Sequence, residues 1–269
     1  MSAPARLAAT LSAVGVLGPG LPGWPATARA LAGDAYSPQP TRIPAQLECL
    51  PGAERRRTGK VVRLAVTAGL EAIAGSAAAA AAVPAVFSSS GGDGLNCHEI
   101  CEVLASAERQ ISPTRFHNSV HNAAAGYWGI ATGATATANA LCAYDASFGA
   151  GLIEALTEAE VEATAVLLIA YDADYPEPMH SVRPIADAFA VAMLLEPQAR
   201  PGALARLTLS VSGAAATHMD DARLETLRAG IPAARCLPLL RQLALGAPGT
   251  VVIDYLEDQR LSIEVETCL

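Results

Sequence analysis

The chain has 269 residues, of which 52% are hydrophobic and only 4% aromatic, so we expect a substantial core filled mainly by Ala, Val and Leu, with helices packed tightly against a sheet. The formal net charge is −8 and no face rich in Lys and Arg is evident, which argues against nucleic-acid binding through phosphate neutralisation. The basic run Glu54–Arg57 is interpreted as a solvated loop before a helix.

The N-terminal region contains an apolar run, Leu7–Leu17, that imitates a signal peptide. Because several glycines interrupt this run, we instead predict a buried strand over Arg6–Val16, followed by a glycine-rich turn and a helix over Trp24–Ala32. Nowhere does the sequence approach the eighteen or so uninterrupted apolar residues of a membrane span, so we expect none.

The middle of the chain is predicted to alternate between helices and strands. Gly33–Gly59 carries four prolines and little periodicity, which indicates a long irregular excursion. From Lys60 apolar residues recur every three to four positions, which predicts an amphipathic helix. Val83–Phe87 has the length and composition of a short buried strand, and the small-residue turn Ser88–Asp93 closes it.

The next predicted helix, Asn96–Glu108, contains a candidate metal site that we reject. Cys97 and Cys101 stand four residues apart beside His98, but no second ligand pair follows at finger spacing, so we expect no bound metal. The chain lacks a C-x-x-C pair, and we predict reduced thiols in a cytoplasmic protein. The residues of this helix predicted to point into the core are Ile100, Val103 and Leu104.

The stretch Phe116–Asn122 has the character of a site, because it packs two histidines, two asparagines and a serine into seven residues. The alternation of His117, Ser119 and His121 suggests an extended segment that presents all three side chains on one face. Asn122 is predicted to cap a helix that follows directly.

Beyond this stretch the pattern indicates layered α/β structure. We predict a strand over Thr137–Ala143, a helix over Ala146–Leu156 and a fully buried strand over Val166–Ala170, followed by a polar loop at Asp172–Pro178. This alternation predicts the α/β class, with a layered mixed sheet and helices on both faces.

The C-terminal part is predicted to hold two paired strands, a helix interrupted by a proline, and a hairpin. The strands are Ala186–Leu195 and Ala203–Val211, the helix is Leu224–Leu245, and the hairpin joins Thr250–Tyr255 to Arg260–Val265. We find no internal repeat or long linker and therefore expect one domain over residues 1–269, with its core at about 5–211 and a C-terminal helix and β-hairpin at 222–267.

Several of these motifs together resemble the first half of a β-ketoacyl-acyl-carrier-protein synthase of the thiolase-like superfamily. The motifs that carry this likeness are Ser112-Pro113, Asn122, Ala124-Ala125-Gly126 and Gly133. The run FHNSVHNAAAGYW at Phe116–Trp128 more closely resembles the short ketosynthase-like chain length factors of aryl polyene and related lipid-polyketide clusters. The likeness extends to about Val211 and implies a thiolase-like half.

The resemblance also locates the position where a synthase carries its nucleophilic cysteine. Counted without gaps from Ser112, that position is Asp145, and Cys142 lies three residues earlier. A carboxylate does not form a thioester as a thiolate does, so we expect no catalytic residue here. The residues for which the resemblance implies packing and subunit contact are Phe116, His117, Asn118, Ser119, His121 and Asn122.

We therefore expect a non-catalytic subunit of the chain length factor type. Such a subunit would form a heterodimer with a complete β-ketoacyl-ACP synthase and help to bound the tunnel for an acyl chain carried by acyl carrier protein. One alternative is a self-sufficient synthase or acyltransferase that uses Cys142, with His117 or His121 as base; another is a homodimeric scaffold or binding protein. No cofactor is expected, because the glycine-rich segment near Gly15 is broken by proline.

Overall fold

The computed structural model describes residues 6–268, in which strands and helices alternate along much of the chain. The strands are β1 (Arg6–Gly18), β2 (Leu21–Pro22), β3 (Ala85–Ser88), β4 (Ala138–Leu141), β5 (Val166–Asp172), β6 (Phe189–Glu196), β7 (Ala205–Ser212), β8 (Gly249–Leu256) and β9 (Gln259–Thr267). The helices are α1 (Trp24–Ala32), α2 (Gly52–Arg55), α3 (Lys60–Ala74), α4 (Gly94–Ala105), α5 (Pro113–Asn118), α6 (Ala123–Thr132), α7 (Ser147–Val161), α8 (Met179–Val182), α9 (Ala222–Gly230) and α10 (Leu237–Leu245).

Within the described residues these strands form one sheet, in the order β4-β3-β5-β6-β1-β7-β9-β8, with β2 paired to the end of β1. β3 pairs in parallel with both β4 and β5, and the remaining pairs are antiparallel. The predicted mixed sheet is therefore confirmed. The predicted pairing of β6 with β7 is wrong, because β1 lies between them and pairs with both. Two apolar strands joined by a short turn look alike in sequence whether or not a distant strand inserts between them.

The sheet carries helices on both faces, as predicted. The side chains of β6 alternate between two hydrophobic clusters, because successive strand residues point to opposite faces. Val191 and Met193 belong to the cluster that includes residues of α7 and α10, whereas Ala192 and Leu194 belong to the cluster of α3 and α6. Burial on both faces explains why β6 is apolar throughout rather than alternating.

Several local predictions are confirmed. β1, α1, α3 and the C-terminal hairpin lie where the patterns indicate, and the predicted break at Pro232 separates α9 from α10 by a 3-10 turn. The expectation for α4 is wrong in part: Leu104 is 46% exposed, and Ile100 and Val103 are half-buried. α4 packs mainly against the short helix α5, so much of its apolar side has no sheet to cover it. Across residues 6–268, none of the helices has both the length and the apolar character needed to cross a membrane.

The first half of the molecule depends on a close approach between β1 and α3. A Cβ atom built on Gly15 would lie 2.1 Å from the carbonyl oxygen of Ala68 and 2.9 Å from the amide nitrogen of Ala72. Both contacts are with helix backbone, which cannot rotate away as a side chain can. The absence of a side chain at this position therefore sets the distance between the helix and the sheet.

We predict that Gly15→Ala lowers the free energy of unfolding by about 2 kcal/mol or more, because overpacking forces the backbone of α3 away from β1. Gly126→Ala is the matched control, since a Cβ there meets no atom within 4 Å and alanine is the better helix former by about 1 kcal/mol. Urea denaturation of both variants checks this. Equal effects of the two substitutions would contradict the close-packing explanation.

Candidate functional site

Three neighbouring parallel strands, β3, β4 and β5, end at the same edge of the sheet. The carboxyl ends of parallel strands are where α/β proteins commonly build their sites. Here the turn after β3 contacts the turn after β4: the Cys142 thiol donates to the carbonyl oxygen of Ser90 at 3.3 Å, and the Ser88 hydroxyl donates to the carbonyl oxygen of Ser147. Cys142 therefore lies at this edge of the sheet, against the turn that follows β3.

Asp145 lies in the 3-10 turn that leads from β4 into α7, directly after Tyr144, whose φ is +53°. Its two carboxylate oxygens accept hydrogen bonds from different arginines: Oδ1 from Arg183 at 2.7 Å and Oδ2 from Arg235 at 3.3 Å. The Arg183 guanidinium also lies 3.7 Å from the centre of the Tyr144 ring. Asp145 is thus the anionic centre of a cluster that joins three segments of the chain.

This cluster indicates what the Asp145 carboxylate can do chemically. Partial burial acts to lower the pKa of Arg183, but the hydrogen bond from Arg183 to Asp145 and the charge of Asp145 outweigh it and raise that pKa. Arg183 therefore stays cationic beside Asp145, and charge-assisted hydrogen bonds of this kind are about twice as strong as neutral ones. A carboxylate whose two oxygens are both engaged by guanidinium groups is not free to attack an acyl group.

Cys142 does not form a thiol–imidazole pair. Among the hydrogen bonds of the described residues, none joins Cys142 to His117 or His121. The Nε2 atom of His121 lies 3.0 Å from the carbonyl oxygen of Leu141 in β4, and the ring of His117 packs edge-on against Tyr127 with centroids 6.2 Å apart. The assignment of Cys142 as a nucleophile stays a prediction, and the one hydrogen bond that its thiol makes within the described residues goes to a backbone carbonyl rather than to a base.

The stretch Phe116–Asn122 is not extended, so the expectation of His117, Ser119 and His121 on one face of a strand is wrong. Pro113 starts α5, which continues to Asn118 and is followed by a turn. Proline is favoured at the first position of a helix, where its missing N–H costs no hydrogen bond. That preference outweighs the alternation of polar residues.

The polar residues of this stretch have different roles in packing. Asn118 is buried; its amide donates to the carbonyl oxygen of Arg57 at 2.8 Å and its oxygen accepts from the Tyr127 hydroxyl at 3.1 Å. Ser119 donates to the carbonyl oxygen of Phe116. Asn122 occupies the predicted N-cap position of α6, but its side chain makes no capping hydrogen bond.

The same stretch carries an exposed apolar surface, which we call the α5–α6 patch. It consists of Phe116, Val120 and Ile130, which are 69%, 53% and 46% exposed, and it borders a groove of about 500 Å³. The hydrogen bond of His121 to Leu141 places the patch beside β4, the terminal strand of the sheet. Clustered exposed apolar side chains of this size commonly mark an interaction site.

Asp172, at the end of β5, is a buried residue that the sequence analysis placed in a polar loop. Its Oδ1 accepts hydrogen bonds from the amide and hydroxyl of Ser90, at 2.8 and 2.6 Å, and its Oδ2 accepts from the amide of Ala233 at 2.8 Å. Burial raises the pKa of Asp172 to about 6, although these hydrogen bonds act in the opposite direction. The sequence did carry a signal for this role, because Asp172 directly follows an unbroken run of apolar residues. Acidic residues are rarely buried unless they are paired, so a buried, hydrogen-bonded carboxylate could have been expected there.

Comparisons with known proteins agree with this fold. The family model described as "Beta-ketoacyl synthase, N-terminal domain" matches residues 24–245, and a comparison with curated proteins gives no match. Among solved structures, this chain is similar to one chain of the complex between the ketosynthase ApeO and its chain length factor ApeC from Xenorhabdus doucetiae. The TM-score is 0.73 and the identity 24%, over 96% of this chain and 99% of that chain.

Two further structures are similar over 98% of this chain and 100% of theirs. One is the ishigamide ketosynthase/chain length factor, with a TM-score of 0.71 and 14% identity. The other, with a TM-score of 0.72 and 9% identity, comes from AntDE:AntF, a type II PKS acyl-carrier protein in complex with its ketosynthase bound to the hexaketide. At these identities the likenesses show a shared fold.

We predict that Asp172→Asn removes a pH dependence of stability. The pKa of Asp172 is about 6 in the folded protein, against an ordinary value of 3.8. The contribution of this carboxyl to the free energy of unfolding is therefore fully present below pH 3.8 and is lost as the pH rises through about 6. Relative to the variant, the wild type should lose about 2 kcal/mol of unfolding free energy between pH 4 and 7. Urea denaturation at several pH values measures this difference, and a difference that does not change with pH would contradict it.

Proposed function

Because this chain belongs to the β-ketoacyl synthase N-terminal domain family, we propose that it is a non-catalytic subunit of the chain length factor type, which pairs with a complete β-ketoacyl-ACP synthase. The observation that carries the proposal is the state of Asp145. By spacing, this residue stands where the family's synthases have their cysteine, and its carboxylate is bound by Arg183 and Arg235.

Acyl transfer by a condensing enzyme needs a thiolate that forms a thioester and a base or electrostatic partner that activates it. Asp145 supplies neither, since its oxygens are held in ion pairs. Cys142 has a thiol, but that thiol donates to the backbone of Ser90. Under this proposal the condensation chemistry belongs to the partner synthase, and this chain contributes shape and contact surface.

The surface for pairing combines the α5–α6 patch with the free edge of β4. Because β4 ends the sheet, the backbone N–H and C=O groups on its outer side have no strand partner among residues 6–268. Such an edge is a template for pairing with another chain. Helix α6, which carries Ile130, contacts β4, and both Ile130 and Phe116 of the patch have much of their apolar area exposed. Stable obligate interfaces bury about 2,000 Å² or more, and this combined surface supplies their apolar part.

The known complexes support pairing of this kind by analogy. The Xenorhabdus doucetiae structure contains a ketosynthase with its chain length factor, and the AntDE:AntF structure contains an acyl-carrier protein with its ketosynthase. We propose that an acyl chain carried by acyl carrier protein is likewise the substrate of the complex formed here. A cytoplasmic location is part of the proposal, and unpaired cysteines on the exposed surface favour it.

Co-expression with the complete β-ketoacyl synthases encoded in the same genome tests the pairing. We expect one of them to co-purify with the wild type, and we expect Phe116→Asp or Ile130→Asp to reduce recovery of that synthase by about tenfold or more, because each buries an unpaired carboxylate in an apolar contact. Leu256→Asp is the control: Leu256 is also exposed but lies on β8, at the other end of the sheet. A chain that stays monomeric and binds no synthase would contradict the proposal.

A second prediction concerns which of the two subunits carries the reactive cysteine. A thiol-directed acyl analogue should label the partner synthase and not this chain. Cys142→Ala should leave product formation by the complex within about threefold of wild type, because a residue outside the reaction is expected to change the activation free energy by less than about 0.7 kcal/mol. Asp145→Ala serves as the comparison variant. Labelling of this chain that is lost in Cys142→Ala but kept in Asp145→Ala would instead support the self-sufficient enzyme.

A further inference from the structure

A row of carboxylates follows α7 beside the edge strand β4, on the sheet face opposite the α5–α6 patch. Glu154, Glu158 and Glu162 recur every four residues, so their side chains project from the same side of the helix. They line a groove of about 530 Å³ together with Val161 and, from β4, Asn139. We call these three glutamates the α7 acidic row.

Among the described residues that line the groove there is no Lys or Arg to face the acidic row. The one side-chain hydrogen bond that the described part of the chain donates to the row is from Nδ2 of Asn139 to Oε1 of Glu154, at 3.3 Å. Within the described residues, Oε2 of Glu158 is shielded from solvent and has no hydrogen-bond partner, and burial followed by the charges of Glu154 and Glu162 raises the pKa of Glu158. Val161, in the same groove, is 72% exposed. An exposed apolar side chain and three carboxylates with no Lys or Arg among the described residues that line their groove thus lie together at the sheet edge.

The acidic row lies where a second copy of this chain would clash electrostatically. Two identical β4 edges that pair antiparallel are related by a two-fold axis perpendicular to the sheet, which keeps α7 of each copy on the same face. The two acidic rows would then face each other across the axis. Like charges placed opposite each other are destabilising, and they are a common device against a wrong partner.

We infer that the α7 acidic row selects a partner subunit whose facing surface carries Lys or Arg side chains opposite Glu154, Glu158 and Glu162, and that it disfavours pairing of two copies of this chain. This inference rests on the proposed function, from which it takes the β4 edge as the pairing surface. It adds the chemistry by which the partner is chosen: the α5–α6 patch supplies apolar contact for any partner, and the acidic row supplies the discrimination.

The inference can be tested without the partner synthase. A variant with Glu154→Lys, Glu158→Lys and Glu162→Lys keeps the same β4 edge and the same apolar patch but reverses the row. We expect the mixture of wild type and variant to associate roughly tenfold or more tightly than either protein alone at low salt, and this preference to disappear at about 0.5 M NaCl. Analytical ultracentrifugation of the three samples measures the association. If circular dichroism shows that the triple variant does not fold, Glu158→Lys alone replaces it.

A matched control separates this effect from net charge. Glu257→Lys, Asp258→Lys and Glu266→Lys change the net charge equally, at exposed positions of the hairpin that contains β8. We expect no preferential association of wild type with this control. Equal association in all three samples, or an equal preference with the hairpin control, would overturn the inference. A synthase that co-purifies despite that result leaves the proposed function intact. Failure of the proposed function is measured separately, as the absence of any co-purifying synthase in the co-expression experiment.

Discussion

The buried carboxylate of Asp172 is the interaction on which the arrangement of the strand ends depends. It binds Ser90 in the turn after β3 and Ala233 in the linker between α9 and α10, so one side chain joins three segments that are far apart in sequence. Burial raises the pKa of this carboxyl to about 6, and the hydrogen bonds from Ser90 and Ala233 offset only part of the cost of burying the charge. With these segments held together, Arg183 and Arg235 both reach Asp145.

The molecule keeps the scaffold of a condensing-enzyme site while its polar groups bind one another. Asp145 is neutralised by two arginines, Cys142 is directed at a backbone carbonyl, and His121 is engaged with Leu141. At the edge of the sheet, by contrast, β4 is the last strand within the described residues, and Phe116 is exposed. This distribution is what a protein needs if its function is to pair with another chain rather than to react.

Local patterns in the sequence predicted what local physics decides. The apolar runs of β5 and β6 and the periodicity of α3 follow from burial, and the turn that carries Asp145 followed from the spacing of a strand and a helix. Contacts between distant residues were not accessible in the same way: Asp172 meets Ser90 and Ala233 across 82 and 61 positions, and Arg183 and Arg235 follow Asp145 by 38 and 90. The helical form of α5 was missed because a proline at its start outweighed an alternating polar pattern.

The most direct measurement is reconstitution of the condensation reaction with purified proteins. Acyl and malonyl groups on acyl carrier protein would be supplied to this chain alone, to the co-purifying synthase alone, and to both together, and the products would be resolved by mass spectrometry. A non-catalytic partner predicts no product from this chain alone and a product length that depends on its presence beside the synthase. Condensation by this chain alone, or products that are identical with and without it, would contradict that role.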